Sequence, residues 1–463
     1  MKSRVPKVLH PLGGRPMLDH VVGACRAAGV QRVAVVISPA QPEVEAHLAE
    51  LDGDCTTVHQ TEPRGTGHAL AQVPADRLPG HDVLVVHGDQ PLFRPETLAE
   101  VAAAHERSGA LATLASAIDP RRPDGRVLRA PDGSFRRIVE YRDATPEERA
   151  APEINLGLYC FRGEALGEAL ARLQPNNAQG ELYLTDLFDE LRPVEVVRVE
   201  DGDEALGIND RVQLARAEAA LKRRRLEALM LDGVTVVDPD STFVEDGVRV
   251  GRDTVLEPFT ILRGTTAIGE ECRIGPHAEI TDSVLEEGVR VTHSWLSGAY
   301  VGKGSDCGPY AKLRPGAVIG PDVHVGSFAE VVRSHVGSGS AIPHFSYVGD
   351  ATIGEHVNVA AGTITANYDG EHKNPTVIED GVFVGVDTMF VAPVRIGRGS
   401  KTGAGSVVTK DVPPGSVAVG VPARVVKRVQ AEAEGDGGDP EDRGEGGDPS
   451  QQKIEDPPER TEG

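Results

Sequence analysis

Short aliphatic-glycine units recur through the second half of this chain in a register that few folds can use. Val250-Gly251, Ile268-Gly269 and Ile274-Gly275 open the series, and Val301-Gly302, Ile319-Gly320, Val325-Gly326, Val336-Gly337, Val348-Gly349, Ile353-Gly354, Val384-Gly385 and Ile396-Gly397 continue it. Val250 to Ile268 and Val301 to Ile319 are steps of 18, and Ile268 to Ile274 and Ile319 to Val325 are steps of 6. Six residues make one flat side and three sides make one coil. The period therefore predicts a parallel β-helix, with one aliphatic side chain per side filling a triangular core and small residues turning the corners. Aromatics at 4% and 53 glycines suit such a solenoid. Flat, repetitive faces also predict side-by-side packing of copies.

Upstream the pattern changes. Apolar runs such as Val33 to Ile37 and Val83 to Val86 alternate with helical stretches, including Met17 to Ala28 and Pro95 to His105. That alternation predicts an α/β, Rossmann-like sheet. Arg211 to Leu231, rich in Ala, Leu and Arg and free of Gly and Pro, reads as one long connecting helix, and its Lys222-Arg223-Arg224-Arg225 run as a solvated face. The 463 residues thus divide into an α/β half at 1–210, the linker helix at 211–231, the β-helix at 232–427 and a tail at 428–463.

The net charge of −23 argues against a nucleic-acid binder. Part of it is local: from Ala431 to Gly463 there are twelve Asp and Glu against three Lys and Arg, in a Gly- and Pro-rich tail expected to be disordered and solubilising. Cys25, Cys55, Cys160, Cys272 and Cys307 are odd in number and lack metal-ligand spacing, which predicts reduced thiols in a cytoplasmic protein. No apolar run resembles a signal peptide or spans a bilayer, so no membrane partner is expected.

In an open α/β sheet, ligands collect at the carboxyl ends of strands. Val83 to Val86 runs into His87-Gly88-Asp89, a carboxylate beside a glycine, suited to holding Mg²⁺ against a triphosphate. Lys7 lies before a helix, where its ammonium can neutralise phosphate. Gln60 with Gly65-Thr66-Gly67-His68 supplies an amide for base recognition and a small-residue corner. Gly125, Glu140 in Ile138-Val139-Glu140, and Glu153-Ile154-Asn155-Leu156-Gly157 follow, then Asn176 to Asp186 and Gly207-Ile208-Asn209-Asp210-Arg211. In this order the motifs resemble the nucleotidyltransferase half of the bacterial bifunctional N-acetylglucosamine-1-phosphate uridylyltransferase and glucosamine-1-phosphate acetyltransferase, over nearly all of residues 1–427. The resemblance implies a Rossmann-like nucleotidyltransferase domain followed by a left-handed parallel β-helix. It implies that Asp89 and Asn209 hold Mg²⁺, that Lys7 contacts phosphate, that Gln60, Gly65 and Thr66 read uracil, that His87 and Gly88 line the nucleotide-sugar site, and that Gly125, Glu140 and Asn155 touch the amino sugar. Position 87 is His where the family more often has Tyr. Family members begin with a strand and a Gly-rich basic loop around the triphosphate. Here that segment would precede Met1, so a start placed too far downstream is expected, and a protein made only from Met1 is expected to be a poor uridylyltransferase.

The likeness is dense from Cys307 to Thr409. Tyr310 to Ala317 contains Arg314, a planar donor for a sugar phosphate. Pro343 to Asp350 contains His344, whose imidazole suits proton removal from an attacking amine. Ala366 to Lys373 breaks the hexapeptide register, which predicts an extruded loop crossing to a neighbouring subunit. The resemblance implies a homotrimer with sites between subunits, a sugar-phosphate site formed by Arg314, Arg333, Tyr347, Asn358 and Lys373, and acetyl-CoA along Ala361, Asn367, Tyr368, Val386 and Ala404. Departures are Val332 for a phosphate-contacting Lys, with Arg333 as its substitute, Val386 for a Ser on the CoA thiol arm, Ala360 for a Gly, and Gly420 near an expected Arg. The substrates implied are UTP, acetyl-CoA, glucosamine-1-phosphate and N-acetylglucosamine-1-phosphate. Two other readings stay open: a sugar-1-phosphate nucleotidyltransferase with altered or lost acyl transfer, and a non-catalytic trimeric scaffold that binds nucleotide sugar.

Overall fold

The computed structural model describes residues 1–51, 55–175, 177 and 179–428. The acidic tail beyond Arg428, and Asn176 and Ala178 of the Asn-rich motif, lie outside the described residues. The first half runs β1 (Pro11–Leu12), β2 (Arg15–Pro16), α1 (Met17–Ala27), β3 (Val33–Ile37), α2 (Pro42–Glu50), β4 (Cys55–His59), α3 (Thr66–Leu70), β5 (Asp82–Val85) and α4 (Pro95–Ser108). It continues with β6 (Ala112–Ile118), β7 (Arg126–Arg129), β8 (Phe135–Val139), α5 (Pro146–Arg149), β9 (Glu153–Arg162), α6 (Gly163–Arg172), α7 (Leu187–Glu190), β10 (Val194–Arg198) and α8 (Arg211–Leu231).

Helix formation follows the apolar spacing. In α4, Leu98, Val101 and His105 recur every three or four residues and are buried, and Gly109 closes the helix at φ 62°. Strand pairing is mixed: β3 and β4 pair in parallel, as do β10 and β6, while the long β9 runs antiparallel to β5, β6 and β7. Leu156, Leu158 and Cys160 of β9 pack with Leu98 and Val101 of α4 and Ala115 of β6. Among the described residues no cysteine is joined in a disulfide. Burial pushes the Cys25 thiol up to about 11 and the Cys160 and Cys307 thiols up to about 12, which leaves these as packing groups rather than nucleophiles.

α8 is started by a capping box between Asp210 and Gln213. Its basic run corrects the expectation of a solvated face. Lys222 donates to the Asp240 carbonyl at 2.7 Å and lies 4.4 Å from the centre of the Phe243 ring; Arg225 donates to the Val248 carbonyl. Arg224 turns the other way, to the Leu92 carbonyl at 2.6 Å and Asp201 at 3.0 Å. Consecutive helical residues point about 100° apart, so this run reaches both halves at once. The β1–β2 turn completes the joint, with Gly13 N donating to Glu218 at 2.9 Å.

Beyond α8, three parallel sheets of twelve, ten and nine strands form the faces of the β-helix, and the last strand of the first face turns back antiparallel. One coil shows the filling: Ile342, Val348 and Ile353, one from each face, are all at most 1% exposed. Paired residues on successive coils lie 16 to 18 apart, as in Ile280–Leu296, Leu296–Leu313 and Leu313–Val331. At the Ala366 to Lys373 insertion the step becomes 25, from Ile353 to Ile378, and the register resumes unchanged. Buried hydroxyls stitch coil to coil: Ser305 donates to the Gly320 carbonyl at 2.8 Å and accepts from Val323 N at 2.9 Å.

Glycines such as Gly298, Gly304, Gly316 and Gly339 turn corners as expected, but one edge departs from the small-residue pattern. On the edge between the first and second faces stand Phe259, His277, His293, Tyr310, Phe328 and Phe345, each at a positive φ between 44° and 64°. A left-handed backbone costs a non-glycine residue about 1–2 kcal/mol. Ring contact offsets part of that cost: Phe259 stacks on His277 at 4.6 Å and Tyr310 on Phe328 at 5.1 Å, in a continuous ladder.

On the edge after the second face, Arg333 clasps Asp350 with two bonds of 2.7 and 2.9 Å, and Asn367 donates to the same carboxylate. The Arg333 hydrogen bonds, helped by Asn367, hold the Asp350 carboxyl below its usual range. A depressed folded-state value stabilises the fold above the ordinary carboxylate pKa, near 4, and that contribution is lost as pH falls through the folded value. Asp350→Asn should therefore melt below the parent at pH 7, and the gap should close under acid; a gap that persists at low pH would show that the clasp acts through shape alone.

Candidate functional site

At the carboxyl end of β5 the chain brings three sequence-predicted residues to one point. The Lys7 ammonium donates to Asp89 Oδ2 at 2.6 Å and to Asn209 Oδ1 at 2.8 Å. Asn209 reaches this point because Ile208 N bonds the Asp89 carbonyl at 2.9 Å, laying the Gly207 to Asp210 segment against the strand end. Two hard oxygens converging on one cation are the donor set a divalent metal accepts, with water completing its shell. Among the described residues no cluster of three or more His, Cys, Asp or Glu forms a fuller metal cage. His87, two residues earlier, packs its ring over Gly157, where a Cβ would meet it at 2.9 Å, so position 157 must stay bare. Burial holds the His87 imidazole below its usual range, against the pull of Asp89.

A second group gathers around α3. Gln60 donates to the Gly65 carbonyl at 3.2 Å and contacts His68 Nδ1 at 3.0 Å. Gly65 sits at φ 107° with the Leu182 carbonyl 2.6 Å from where a Cβ would be, and Thr66 Oγ1 accepts from Leu184 N at 3.1 Å. Gly65 and Thr66 are thus held by Leu182 and Leu184 of the Asn176 to Asp186 stretch, and Gln60 by Gly65 and His68. Gly88, by contrast, has ordinary space around it.

The third group lies on β7, β8 and β9. Asn155 N bonds the Gly125 carbonyl at 2.8 Å, and a Cβ at Gly125 would meet Glu140 Oε2 at 3.4 Å. Glu140 accepts from Thr185 Oγ1 at 3.1 Å, and burial raises its carboxyl above the usual range. Asn155 donates to the Tyr159 hydroxyl at 2.7 Å. Thr185, Tyr159 and Gly157 escaped the sequence reading. Gly157 was inside a quoted motif, and its neighbour His87 is seventy positions away, so only the fold joins them.

In the β-helix the predicted residues fall into two sets. His344 ends a strand of the first face, exposed, immediately before the ladder residue Phe345; Asn358 sits one coil on, on the same face. Among the described residues the His344 ring makes no hydrogen bond, which leaves both nitrogens open to a partner. The other set occupies the second face and its far edge. Arg314 pairs with Glu330 at 2.9 Å, and Glu330 lies beside Tyr347. Arg333, Asp350 and Asn367 form the clasp, and the charge of exposed Lys373 also acts on Asp350. A Cβ on Gly349 would meet Tyr347 Oη at 2.6 Å and Asn367 Nδ2 at 2.8 Å, so these side chains are packed together.

Two expectations need adjustment. Val332 is buried at 2% exposure while Arg333 is committed to Asp350, so Arg333 stands in for a lysine at 332 only by sharing that carboxylate. Asn367, 7% exposed, belongs with Tyr347 and Arg333 rather than with Ala361, Val386 and Ala404; Tyr368, next to it, is 61% exposed and bridges to Lys373. Ala361, Val386 and Ala404 line up on the ladder's own edge: Asp387 N bonds the Ala361 carbonyl and Gly405 N the Val386 carbonyl, both at 2.8 Å. Here the corner positions are Gly362, Asp387 and Gly405, so the aromatic ladder stops at Phe345 and the rest of the edge carries no ring. Asp350, within the Pro343 to Asp350 stretch, and Glu330 hold the cations of this face, and neither was given a role by the sequence.

Comparison with known proteins agrees with both halves. The model of the MobA-like NTP transferase domain matches residues 1–194, and that of the bacterial transferase hexapeptide (six repeats) matches residues 375–410. The bifunctional protein GlmU of Desulfitobacterium hafniense (strain DSM 10664 / DCB-2) is 48% identical over 425 residues, covering 90% of this chain and 93% of that protein. The bifunctional protein GlmU of Rubrobacter xylanophilus is 47% identical over 432 residues, 92% of this chain and 91% of that one. For the protein of the same name from Syntrophomonas wolfei the figures are 44% over 425 residues, 90% and 94%. With a nucleotidyltransferase half, a hexapeptide acyltransferase half and kinship along nine-tenths of its length, the chain belongs to the family of bifunctional GlmU proteins.

Proposed function

We propose that this chain makes UDP-N-acetylglucosamine in two steps, acetylating glucosamine-1-phosphate in its β-helix at residues 232–427 and transferring uridylyl from UTP to the product in its α/β half at residues 1–210. The observation that carries the reading is the convergence of Lys7, Asp89 and Asn209 at one strand end.

Asp89 and Asn209 are the residues that would hold Mg²⁺, which supplies charge stabilisation to the pyrophosphate leaving group when bound. Lys7 then turns its ammonium from carboxylate to phosphate. Gln60 and Thr66 fix the uracil end, while Glu140 and Asn155 present acceptors and donors to the amino sugar. In the β-helix, His344 takes the proton as the sugar amine attacks the thioester carbonyl; the C–N bond forms, the C–S bond breaks, and the thiol of CoA leaves. Arg314, Arg333, Tyr347, Asn358 and Lys373 hold the sugar phosphate, and the ring-free edge at Ala361, Val386 and Ala404 carries acetyl-CoA.

His344 and the Arg333–Asp350 clasp sit at different edges of one coil, so a homotrimer in which neighbouring copies complete each other's site is the assembly we assign. Cysteines outside disulfides and the absence, among the described residues, of a helix long and apolar enough to cross a membrane accord with a cytoplasmic enzyme.

Three outcomes follow. Pyrophosphate release from UTP and N-acetylglucosamine-1-phosphate should require Mg²⁺, and Asp89→Asn should lower it roughly 10²-fold or more; an unchanged rate would remove Asp89 from the metal site. Thiol release from acetyl-CoA with glucosamine-1-phosphate should drop about 10²- to 10⁴-fold in His344→Ala with uridylyl transfer intact. A His344→Ala protein as fast as the parent would make that histidine structural. Sedimentation of the full chain should give three copies, and a stable monomer at micromolar concentration would refute the shared site.

A further inference from the structure

Arg126 is the largest side chain that the fold buries completely, 1% exposed, yet among the described residues no carboxylate neutralises it. A buried cation without a counter-ion is costly, so what holds it is informative. Its guanidinium forks to two main-chain carbonyls: Nε donates to Arg149 at 3.0 Å and Nη2 to Pro120 at 3.3 Å, while Nη1 has no partner among the described residues. Its Cζ lies 5.3 Å from the centre of the Tyr141 ring, and Arg149 approaches the same ring at 5.1 Å.

Those partners belong to the two segments that carry the candidate sugar contacts. The turn after Glu140 is closed by Asp143 N and Ala144 N, both bonded to the Glu140 carbonyl at 3.0 Å, and by Arg149 Nε on the Tyr141 carbonyl at 3.0 Å. The Pro120 segment leads into Asp124 and Gly125. In the strand, Arg126 is paired with both Val139, next to Glu140, and Ile154, next to Asn155. One guanidinium thus sets the spacing between the turn bearing Glu140 and the loop bearing Gly125.

We infer that Arg126 is a positioning residue for the sugar-phosphate pocket of the nucleotidyltransferase half, acting through the Arg149 and Pro120 carbonyls and the Tyr141 ring on Glu140 and Gly125. The inference rests on the reading of Gly125, Glu140 and Asn155 as sugar contacts. A lysine cannot replace the fork, because one ammonium is a point donor and does not span two carbonyls in a fixed plane.

The test is calorimetric titration of the full chain with N-acetylglucosamine-1-phosphate and, separately, with UTP, for the parent, Arg126→Met, Arg126→Lys, Tyr141→Leu and Glu140→Ala. Arg126→Met, Arg126→Lys and Tyr141→Leu should each weaken sugar-phosphate binding about tenfold or more, the scale of a misplaced contact, with UTP affinity within about twofold of the parent. In the pyrophosphate-release assay the same variants should raise the sugar-phosphate KM and leave kcat nearly unchanged. If Arg126→Lys binds sugar phosphate as the parent does, or if all three variants weaken both ligands equally, Arg126 only supports the fold and the inference falls. Should Arg126→Met fail to fold, Arg126→Lys and Tyr141→Leu decide. Glu140→Ala separates the two layers: normal sugar binding there sinks the pocket assignment itself, whereas a loss there with none in the Arg126 variants sinks the inference alone.

Discussion

The hydrogen bond from one coil to the next governs the second half of the molecule. Each coil donates its backbone to the coil above in parallel register, so residues 16 to 18 apart stand in vertical lines. Aliphatic lines face inward and fill the prism. Hydroxyl lines sit at the bends and satisfy carbonyls that the parallel ladder leaves over. Ring lines, glycine lines and charged lines mark the edges. Functional groups inherit this order: His344 and Asn358 share one face, Arg333 and Asp350 one edge, and Ala361, Val386 and Ala404 another. The Ala366 to Lys373 loop is tolerated because it leaves and re-enters between two strands without shifting a line.

The two catalytic halves use opposite strategies for placing polar groups. In the α/β half, polar groups come from remote stretches and are fixed by burial and by each other, as when Asp89 and Asn209 share the Lys7 ammonium. In the β-helix, position follows from repeat number, and the polar groups stay largely exposed. Arg333 is pre-oriented by Asp350, and Arg314 by Glu330, so each presents a guanidinium whose rotamer is already chosen. On the proposed sugar-phosphate reading, a bidentate partner such as Asp350 on Arg333 would lower the entropy lost on binding the phosphate. It would also compete with that phosphate and tune affinity downward.

How much was legible depended on whether a pattern was periodic. The aliphatic repeat predicted the coils and their direction because it samples inward positions regularly. It said nothing of the aromatic edge, since Phe259, His277, His293, Tyr310, Phe328 and Phe345 fall between the repeats and look like isolated surface residues until stacked. The basic run of α8 was misread for a related reason. Charge clusters are judged as one face, yet four successive helical residues point all round the axis, and here Arg224 and Arg225 grip different halves. Motifs located Glu140 and Asn155, but not what holds them: Thr185 reaches Glu140 from 45 positions away, Tyr159 takes the Asn155 amide from further along β9, and Arg126 touches neither, gripping the Arg149 and Pro120 carbonyls instead. Asn367 and Tyr368 show the finest limit: adjacent in sequence, one is packed into a clasp and the other stands in solvent.

The constant step between coils has a bearing on how the chain reaches this form. A sheet assembled from distant strands must wait for both, whereas each coil here needs only the one just before it, as in other one-dimensional solenoids. At synthesis rates of about 5–20 residues per second, a new coil is supplied every one to four seconds or so, and it can dock at once on an edge already formed. The longest wait is at the 25-residue step between Ile353 and Ile378. Folding of this half can therefore keep pace with translation, exposing at any moment little more than one open triangular end.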